Sequence, residues 1–418
     1  MSTQLHQDIS EETVRQLADE HDEPEWLLQT RLDALDALEA LDYPSVIETP
    51  GRKWTNLEDL DFEALVDPLT QTEQKDQVGP EDVEVASFHE ALQDDDLAEL
   101  VEEHFGSIVD PQQNRLTALS TTLFTTGTVV YVPAGVDAED VTIRTSMTSR
   151  SLFNYTLVVT ESNSSVTILE RQDTSEDSEA RSASESASGE AASDGRYYSG
   201  VVEVDAGENS YVQYGSLQDF DEDTYNYTVK RGDATTYSTV DWIEGNLGSR
   251  LTKTSVSTEL NGDGSETKIV GAFFGHDGQH FDLDSKVWHR GEHTTADLVT
   301  RGVIDDDARS VYEGVQDVGE DAWDTSSYQR ENTLMLSDES EADASPKLII
   351  NNHDTEASHS ATVGQVDEET LFYMENRGVP EQLATDMLVE GFFVPVLEEV
   401  EVEELREDLQ TRIHERLQ

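Results

Sequence analysis

The sequence predicts a mainly β protein whose core is a parallel β-helix, with an α-helical region on each side of it. Three observations support this prediction. Short runs in the middle of the chain are rich in β-branched and aromatic residues, turn residues separate these runs without intervening helices, and a turn motif recurs. A β-helix stacks such units so that each rung buries the apolar face of its neighbour. A β-sandwich is the alternative fold.

Residues 1–118 are predicted to form an N-terminal helical region. From Ser10 to about Asp42 leucines recur at spacings of three and four, and Pro24 lies where a first-turn proline is favoured. The recurring leucines are Leu28, Leu32, Leu35, Leu38 and Leu41. The segment from Leu57 to Phe105 is predicted to be helical or irregular.

Residues 119–365 are predicted to form the β-helix. The strand-like runs include TGTVVYVPAGV, SLFNYTLVVTESNSSVTILE, SGVVEVDAGENSYVQYG, GSETKIVGAFF and SPKLIINN. The motif NSSV at 163–166 matches NSYV at 209–212, and GSET at 264–267 resembles both. Residues 172–197 are rich in Ser, Glu and Ala with few large apolar side chains, which predicts a disordered insertion in one loop.

Residues 366–418 are predicted to form a C-terminal helical region. Asp367 is a suitable N-cap, Gly378 a suitable end of that helix, and Pro380 a suitable start of the next. The last segment, EELREDLQTRIHERLQ, carries basic residues near its C-terminus, where the helix dipole favours them.

The charge is strongly acidic, with 26 Lys and Arg against 91 Asp and Glu, a net charge of −65. The carboxylates are spread along the whole chain, and only seven residues are lysine. This pattern is typical of a halophile surface, in which high salt screens the self-repulsion; an acidic protein from a non-halophile is the alternative. Such a surface repels phosphates, so neither nucleic acid nor an anionic membrane is an expected partner.

The sequence contains no cysteine, which excludes disulfides, thiolate metal sites and a cysteine nucleophile. The first residues lack the basic and apolar segments of a signal peptide, and no apolar run approaches the roughly 18 residues of a spanning helix. A cytoplasmic protein is therefore expected.

Histidines are the main candidates for chemistry. His276, His280, His289 and His293 could share a zinc or iron ion if neighbouring rungs brought them together, but their spacing matches no ligand motif, which favours ordinary strand and turn histidines. His359 lies between the β region and the C-terminal helices, and its position alone favours packing or hydrogen bonding. The P-loop, dinucleotide-binding, zincin and nucleophile-elbow motifs are absent.

The segment YQRENTLMLSDESEADASPKLIINNHDTEASHSATVGQVDEETLFYMENRGVPEQLATDMLVEGFF, 328–393, closely resembles the SufB/SufD family of iron-sulfur cluster assembly scaffolds. GQHFDLDSKVWH and RGVIDDDARSVYEG resemble the same family's core. The resemblance covers about residues 120–395 and implies a right-handed parallel β-helix. It also implies a non-enzymatic SufD-like subunit that pairs with SufB through the β-helix and docks the ATPase SufC on its C-terminal helices.

The resemblance assigns a role to His359. ASHSATVG at 357–364 matches the SufD motif CSHGATVG except at its first and fourth places, so His359 takes the position of the histidine linked to cluster assembly. Ala357 replaces the motif cysteine, and no role of that thiol applies here. The implied cofactor is a transient iron-sulfur cluster shared with SufB, with His359 as this chain's metal-binding residue and no tightly bound cofactor of its own.

The apolar side chains of the C-terminal region exceed what two short helices need for a core of their own, which predicts the ATPase-docking surface there. Packing in the core is the alternative for the same residues. The predicted docking residues are Leu371, Phe372, Tyr373, Arg377, Phe392 and Phe393. Two other functions fit the sequence less well: a β-helix carbohydrate-active enzyme with carboxylates in a groove, and a second SufB-like scaffold.

Overall fold

The strands stack into a β-solenoid, as the sequence predicts. The computed structural model describes residues 9–44, 60, 65–175, 195–400 and 402–417. The strands of these residues are β1 (Glu73–Val78), β2 (Glu84–Ser87), β3 (Thr126–Val132), β4 (Asp137–Met147), β5 (Ser151–Thr160), β6 (Ser165–Thr174), β7 (Arg196–Ala206), β8 (Tyr211–Asp219), β9 (Thr224–Ala234), β10 (Thr239–Asn246), β11 (Leu251–Leu260), β12 (Glu266–Gly275), β13 (His280–His289), β14 (Thr295–Ile304), β15 (Arg309–Val318), β16 (Thr325–Met335), β17 (Glu341–Ile350) and β18 (Thr355–Gln365).

Helices precede and follow the solenoid. They are α1 (Glu11–Glu20), α2 (Glu25–Ala37), α3 (Phe88–Gln93), α4 (Asp95–His104), α5 (Arg115–Leu123), α6 (Glu368–Glu375), α7 (Glu381–Leu397) and α8 (Glu403–Arg416). The leucine pattern of 10–42 therefore forms two helices, with Pro24 at the N-cap of α2. Helix α5 crosses the predicted boundary at residue 118, and the first parallel strand begins at Thr126.

Two nine-stranded sheets face each other across the interior. Sheet A has the order β1-β4-β6-β8-β10-β12-β14-β16-β18, and sheet B the order β17-β15-β13-β11-β9-β7-β5-β3-β2. From β3 to β18 neighbouring strands are parallel, so the chain alternates between the sheets as it climbs one rung at a time. The interior holds valines and isoleucines from both sheets, including Val130, Val158, Ile143 and Ile168.

The recurring turn motif marks one corner of the solenoid. Asn163, Asn209 and Gly264 have φ angles of 58°, 56° and 68°, a left-handed conformation that Gly and Asn adopt most readily. The N–H of each donates to the carbonyl of the next turn, at 2.9 Å to Glu208, 2.9 Å to Thr236 and 2.7 Å to Glu292. The three copies of the motif therefore lie at the same corner on different rungs of the solenoid.

Two stretches differ from the sequence prediction. Residues 73–78 and 84–87, predicted to be helical or irregular, are β1 and β2, which pair antiparallel with β4 and β3. Their sequences, EQKDQV and EVAS, carry no apolar alternation, so the first rung selects the strand conformation by pairing. The predicted insertion 172–197 starts and ends within β6 and β7, and its middle, 176–194, lies outside the described residues.

Helices cover the outer face of each sheet. On sheet B, Phe88 and Phe124 from the N-terminal region pack on Phe153 and Tyr155 of β5. On sheet A, α7 and α8 pack over five strands. The buried residues of this contact are Leu169, Leu217, Ile243, Val270, Phe274 and Val303 of the sheet and Val389, Phe393, Val396, Leu405, Leu409 and Ile413 of the helices. Among the described helices none is both long and apolar enough to cross a membrane.

Candidate functional site at the last rung

The two ends of the solenoid are finished differently. At the first rung, β1 and β2 extend the two sheets, and Val83 and Val85 pack on the interior cluster. At the last rung, β17 pairs only with β15 and β18 only with β16. Both are long strands, of 10 and 11 residues, and along their far sides no described strand satisfies the backbone N–H and C=O groups.

His359 lies on this open end. It is in β18, in register with Gln329 of β16. Side chains alternate between the faces of a strand, and Ser327, Gln329 and Glu331 are all buried inside the solenoid. His359 therefore faces the interior side of its rung, and it is exposed because no rung follows.

The residues on the interior side of the two last strands form what we call the end face. Each is in register with a buried interior residue of β15 or β16. The end face consists of Ala342, Ala344, Pro346, Leu348, Ile350, Thr355, Ala357, His359, Ala361 and Val363. Its side chains are apolar apart from one hydroxyl and one imidazole, with Ile350 and Val363 43% and 38% exposed.

A polar layer lies directly below the end face. Glu331 is 1% exposed, and its Oε1 accepts a hydrogen bond of 2.6 Å from Thr333 Oγ1. Its Oε2 has no hydrogen-bond partner among the described residues. Burial raises the pKa of Glu331 to about 7. The amide of Gln329 is also buried without a partner, and it occupies the space beside Gly314, where a Cβ would overlap it.

The four histidines of β13 and its flanking turns do not share a site. His280 and His289 lie at opposite ends of β13, and burial lowers the pKa of each to about 4. His289 Nδ1 is 2.8 Å from Thr294 Oγ1, and exposed His293 pairs with Asp324 at 2.8 Å. In the part of the chain that the structure describes, His276 groups with Glu222 and Asp277 rather than with another histidine. This placement favours ordinary strand and turn histidines.

The predicted docking residues separate into exposed and buried ones. Phe372 and Tyr373 of α6 are 65% and 59% exposed, and Arg377 lies over the Tyr373 ring at 4.9 Å. Leu371 and Phe392 are half-buried. Phe393 is fully buried, stacked near Phe274 with ring centroids 6.5 Å apart. Its inclusion in the docking surface is therefore corrected: Phe393 holds α7 on sheet A.

Two models of known protein families match this chain. The family model described as SUF system FeS cluster assembly, SufBD core domain, matches residues 142–392, and the SufBD protein N-terminal region matches residues 55–143. The chain belongs to the SufBD family. It is 28% identical to iron-sulfur cluster assembly protein SufD of Bacillus subtilis, over 96% of each chain. It is 25% identical to SufB of the same organism, over 94% of this chain and 90% of that one. A SufBD family protein of Staphylococcus saprophyticus is 26% identical, over 94% of this chain and 90% of the relative.

The end face offers few donors for an iron-sulfur cluster. Iron-sulfur clusters are normally held by several thiolates, and an imidazole can replace some of them. This chain offers His359 there and has no cysteine in its 418 residues. A cluster formed on this face therefore requires thiolates from another molecule.

The sequence prediction missed part of the exposed surface on α7. Leu383, Met387 and Val394 are 50%, 50% and 46% exposed, with Gly391 between them. Their spacings of four, four and three place them on one helix face. That spacing is visible in PEQLATDMLVEGFFV, but it does not tell which of the two apolar faces of α7 meets the sheet. We call Leu383, Met387, Gly391 and Val394 the α7 stripe.

Proposed function

We propose that this SufBD family protein is a SufD-like scaffold subunit of a cytoplasmic SufBCD complex. Its open end pairs with a SufB-like subunit, His359 contributes to the site where the transient cluster forms, and the C-terminal helices dock a SufC-like ATPase. One observation carries the proposal: His359 lies on the end of the solenoid that no described strand extends, in a chain with no thiol.

The open end supports pairing with another β-solenoid. Two adjacent edge strands of 10 and 11 residues present backbone groups that a second pair of edges can complete. The end face is apolar enough to be covered in the complex, and Ile349 and Tyr328 add exposed apolar area beside it. A partner that extends both sheets would place its own end residues against His359.

The chemistry of His359 fits a shared site. A neutral imidazole supplies one nitrogen ligand to iron or carries a proton during assembly. His359 has no side-chain hydrogen bond among the described residues that would hold it for a structural role. The match to both SufB and SufD leaves the paralogue open, and the absence of cysteine favours the SufD-like role over a second SufB-like scaffold. The family match also favours assembly over the carbohydrate-active alternative.

The exposed residues of α6 and the α7 stripe support the docking of an ATPase. Phe372, Tyr373, Leu383 and Met387 are each at least half exposed and lie on consecutive helices. Contiguous apolar patches of this kind mark protein interaction sites. The same two helices also carry carboxylates, including Glu369, Asp386 and Glu390, so the partner surface is expected to be apolar with basic residues nearby.

The test uses the complex purified in high salt with SufB-like and SufC-like chains. His359→Ala should keep both partners and lose most cluster reconstitution, and His353→Ala, an exposed histidine on the preceding turn, should keep both. Full cluster assembly by His359→Ala would remove His359 from the site. Loss of assembly in proportion to lost complex would show a packing role instead.

Docking is tested by substitution rather than by truncation, because α7 and α8 cover the apolar outer face of sheet A. Met387→Asp should abolish ATPase binding and leave the melting temperature nearly unchanged. Gln382→Asp makes the same change of charge at an exposed position off the stripe and should retain binding. Retained binding by Met387→Asp would show that the ATPase docks elsewhere.

A further inference from the structure

Glu331 is a buried carboxyl group that pairs with no cation in the part of the chain that the structure describes. Two other buried carboxylates of the described chain pair with lysines: Lys230 Nζ is 2.9 Å from Glu244 Oε1, and Lys253 Nζ is 2.7 Å from Asp282 Oδ1. Glu170 resembles Glu331, with one hydroxyl donor from Tyr214 and an unpartnered Oε1, but it lies far from the open end, in β6. For Glu331 the structure provides one hydroxyl, at Oε1, and nothing at Oε2. An ionised carboxylate in such a place is costly unless a positive charge reaches it.

Two more donor groups lie beside that carboxyl group. Gln329, two residues earlier on the same face of β16, has a buried amide without a partner. His359 is the register partner of Gln329, and Ala361 is the register partner of Glu331. Neighbouring strands are about 4.8 Å apart, and diagonal neighbours about 7–8 Å, so the three side chains occupy one small area. Because Ala361 is small, only a methyl group stands between Glu331 and the end face.

We propose that Glu331, Gln329 and His359 form a binding site for a single divalent first-row metal ion, which is Fe²⁺ if the proposed function holds. The donor set is one imidazole nitrogen, one amide oxygen and one carboxylate oxygen, which suits Fe²⁺ and its neighbours in the first row rather than a soft thiophilic ion. This chain thereby holds iron on the end face, and the partner completes the site with thiolates.

A metal ion fits this position better than a cationic side chain from the partner. Glu331 is 1% exposed, which leaves no passage for the stem of a lysine or arginine, whereas an ion needs only its ligands to turn toward it.

The test measures metal binding to the chain alone, without its partners. Co²⁺ is titrated and followed by its visible absorption, with Fe²⁺ as an anaerobic competitor, in about 2 M KCl to screen the surface carboxylates. The unmodified chain should bind one equivalent. Glu331→Gln and Ala361→Leu should each weaken binding at least about tenfold, as expected for loss of a ligand or of access to it. Glu356→Gln, on the opposite face of β18 and exposed, should bind normally.

Equal Co²⁺ affinity of Glu331→Gln and the unmodified chain would overturn this inference. If Glu331→Gln binds metal normally but binds its partner more weakly, a cationic side chain of the partner pairs with Glu331 instead. The outcomes separate it from the proposed function. If His359→Ala blocks cluster assembly while Glu331→Gln binds metal normally, the role of His359 stands and the metal site falls. If Glu331→Gln loses metal while His359→Ala assembles clusters, the metal site stands and the proposed role of His359 in assembly falls.

Discussion

The first and last rungs of the solenoid are built from the same repeat, yet they differ in what covers them. At the first rung, antiparallel strands and Val83 close the interior. Two rungs further along, the buried carboxylate Glu203 of β7 accepts hydrogen bonds from three backbone N–H groups and from Tyr155 Oη. At the last rung, the edges of β17 and β18 are not paired with any described strand, and one rung below them Glu331 of β16 is nearly unsatisfied among the described residues. The comparison indicates that this chain's own residues complete the first end of the solenoid, whereas the described residues leave the last end open.

The same substitution at the two ends tests this difference most strongly. Val130 in β3 is fully buried and Val363 in β18 is 38% exposed, and both face the interior side. Val130→Lys should destabilise the chain by more than about 4 kcal/mol, because it buries an unpaired charge in a packed interior. Val363→Lys should change stability by less than about 1 kcal/mol but abolish pairing with the SufB-like subunit.

Thermal unfolding and co-purification measure the two effects. Strong destabilisation by Val363→Lys would mean that the end face is part of the core of the free chain. Normal pairing of that variant would place the interface elsewhere.

The two buried carboxylates should respond to amide substitution with opposite signs. The pKa of Glu331 is raised from 4.5 to about 7 in the folded chain, so its protonation stabilises the fold at low pH, and this contribution is lost as the pH rises through about 7. Above that pH the penalty is about 3 kcal/mol. Glu331→Gln should therefore be more stable than the unmodified chain at about pH 8 and similar at about pH 5.

Glu203→Gln should be less stable, by about 1–3 kcal/mol, because an amide NH₂ cannot accept the hydrogen bonds that one carboxylate oxygen receives. Denaturant unfolding at both pH values measures the two effects. Destabilisation by Glu331→Gln at the higher pH would show that the carboxylate is compensated in the fold.

Two histidines provide a pH comparison. Burial lowers the pKa of His289, near the last rung, from 6.5 to about 4. Between these two pH values the unfolded chain binds a proton at His289 and the folded chain does not. The free energy of unfolding therefore falls as the pH drops from about 6.5 to 4, by up to about 3 kcal/mol. His289→Asn should reduce this acid loss.

The hydrogen bond to Asp205 raises the pKa of half-buried His104, near the first rungs. Its contribution is present below the unfolded pKa and disappears as the pH rises through the folded one. His104→Gln should therefore lower the melting temperature at about pH 6 and leave it unchanged at about pH 9. Identical pH profiles for the unmodified chain and both variants would contradict these assignments.

Salt concentration should have nearly the same effect on the two ends of the solenoid. If the net charge of −65 is an adaptation to high salt, the melting temperature should rise between about 0.1 and 2 M KCl as screening removes self-repulsion. The increase should be the same in the unmodified chain and in Val363→Lys, because the carboxylates are spread over the whole surface. A melting temperature insensitive to KCl would refute the halophile interpretation and leave the rest intact.

The sequence by itself determined the repeating part of this protein. Strand runs, the Asn or Gly turn at one corner and the C-terminal helices depend on neighbouring residues, so their periods are readable in order along the chain. The resemblance around ASHSATVG also singled out His359. The sequence did not predict β1 and β2, because these segments become strands only by pairing with the first rung.

The tertiary structure decided which surfaces remain unpaired. Phe393 and Met387 belong to the same apolar run, and only packing on sheet A buries the first and exposes the second. Glu331 is one of 91 acidic residues, and nothing in its local sequence shows that it is buried without a cation one rung below His359. Burial and counter-charge depend on residues about thirty positions away along the solenoid, as the register of Glu331 with Ala361 shows, and a local pattern carries no information about that distance.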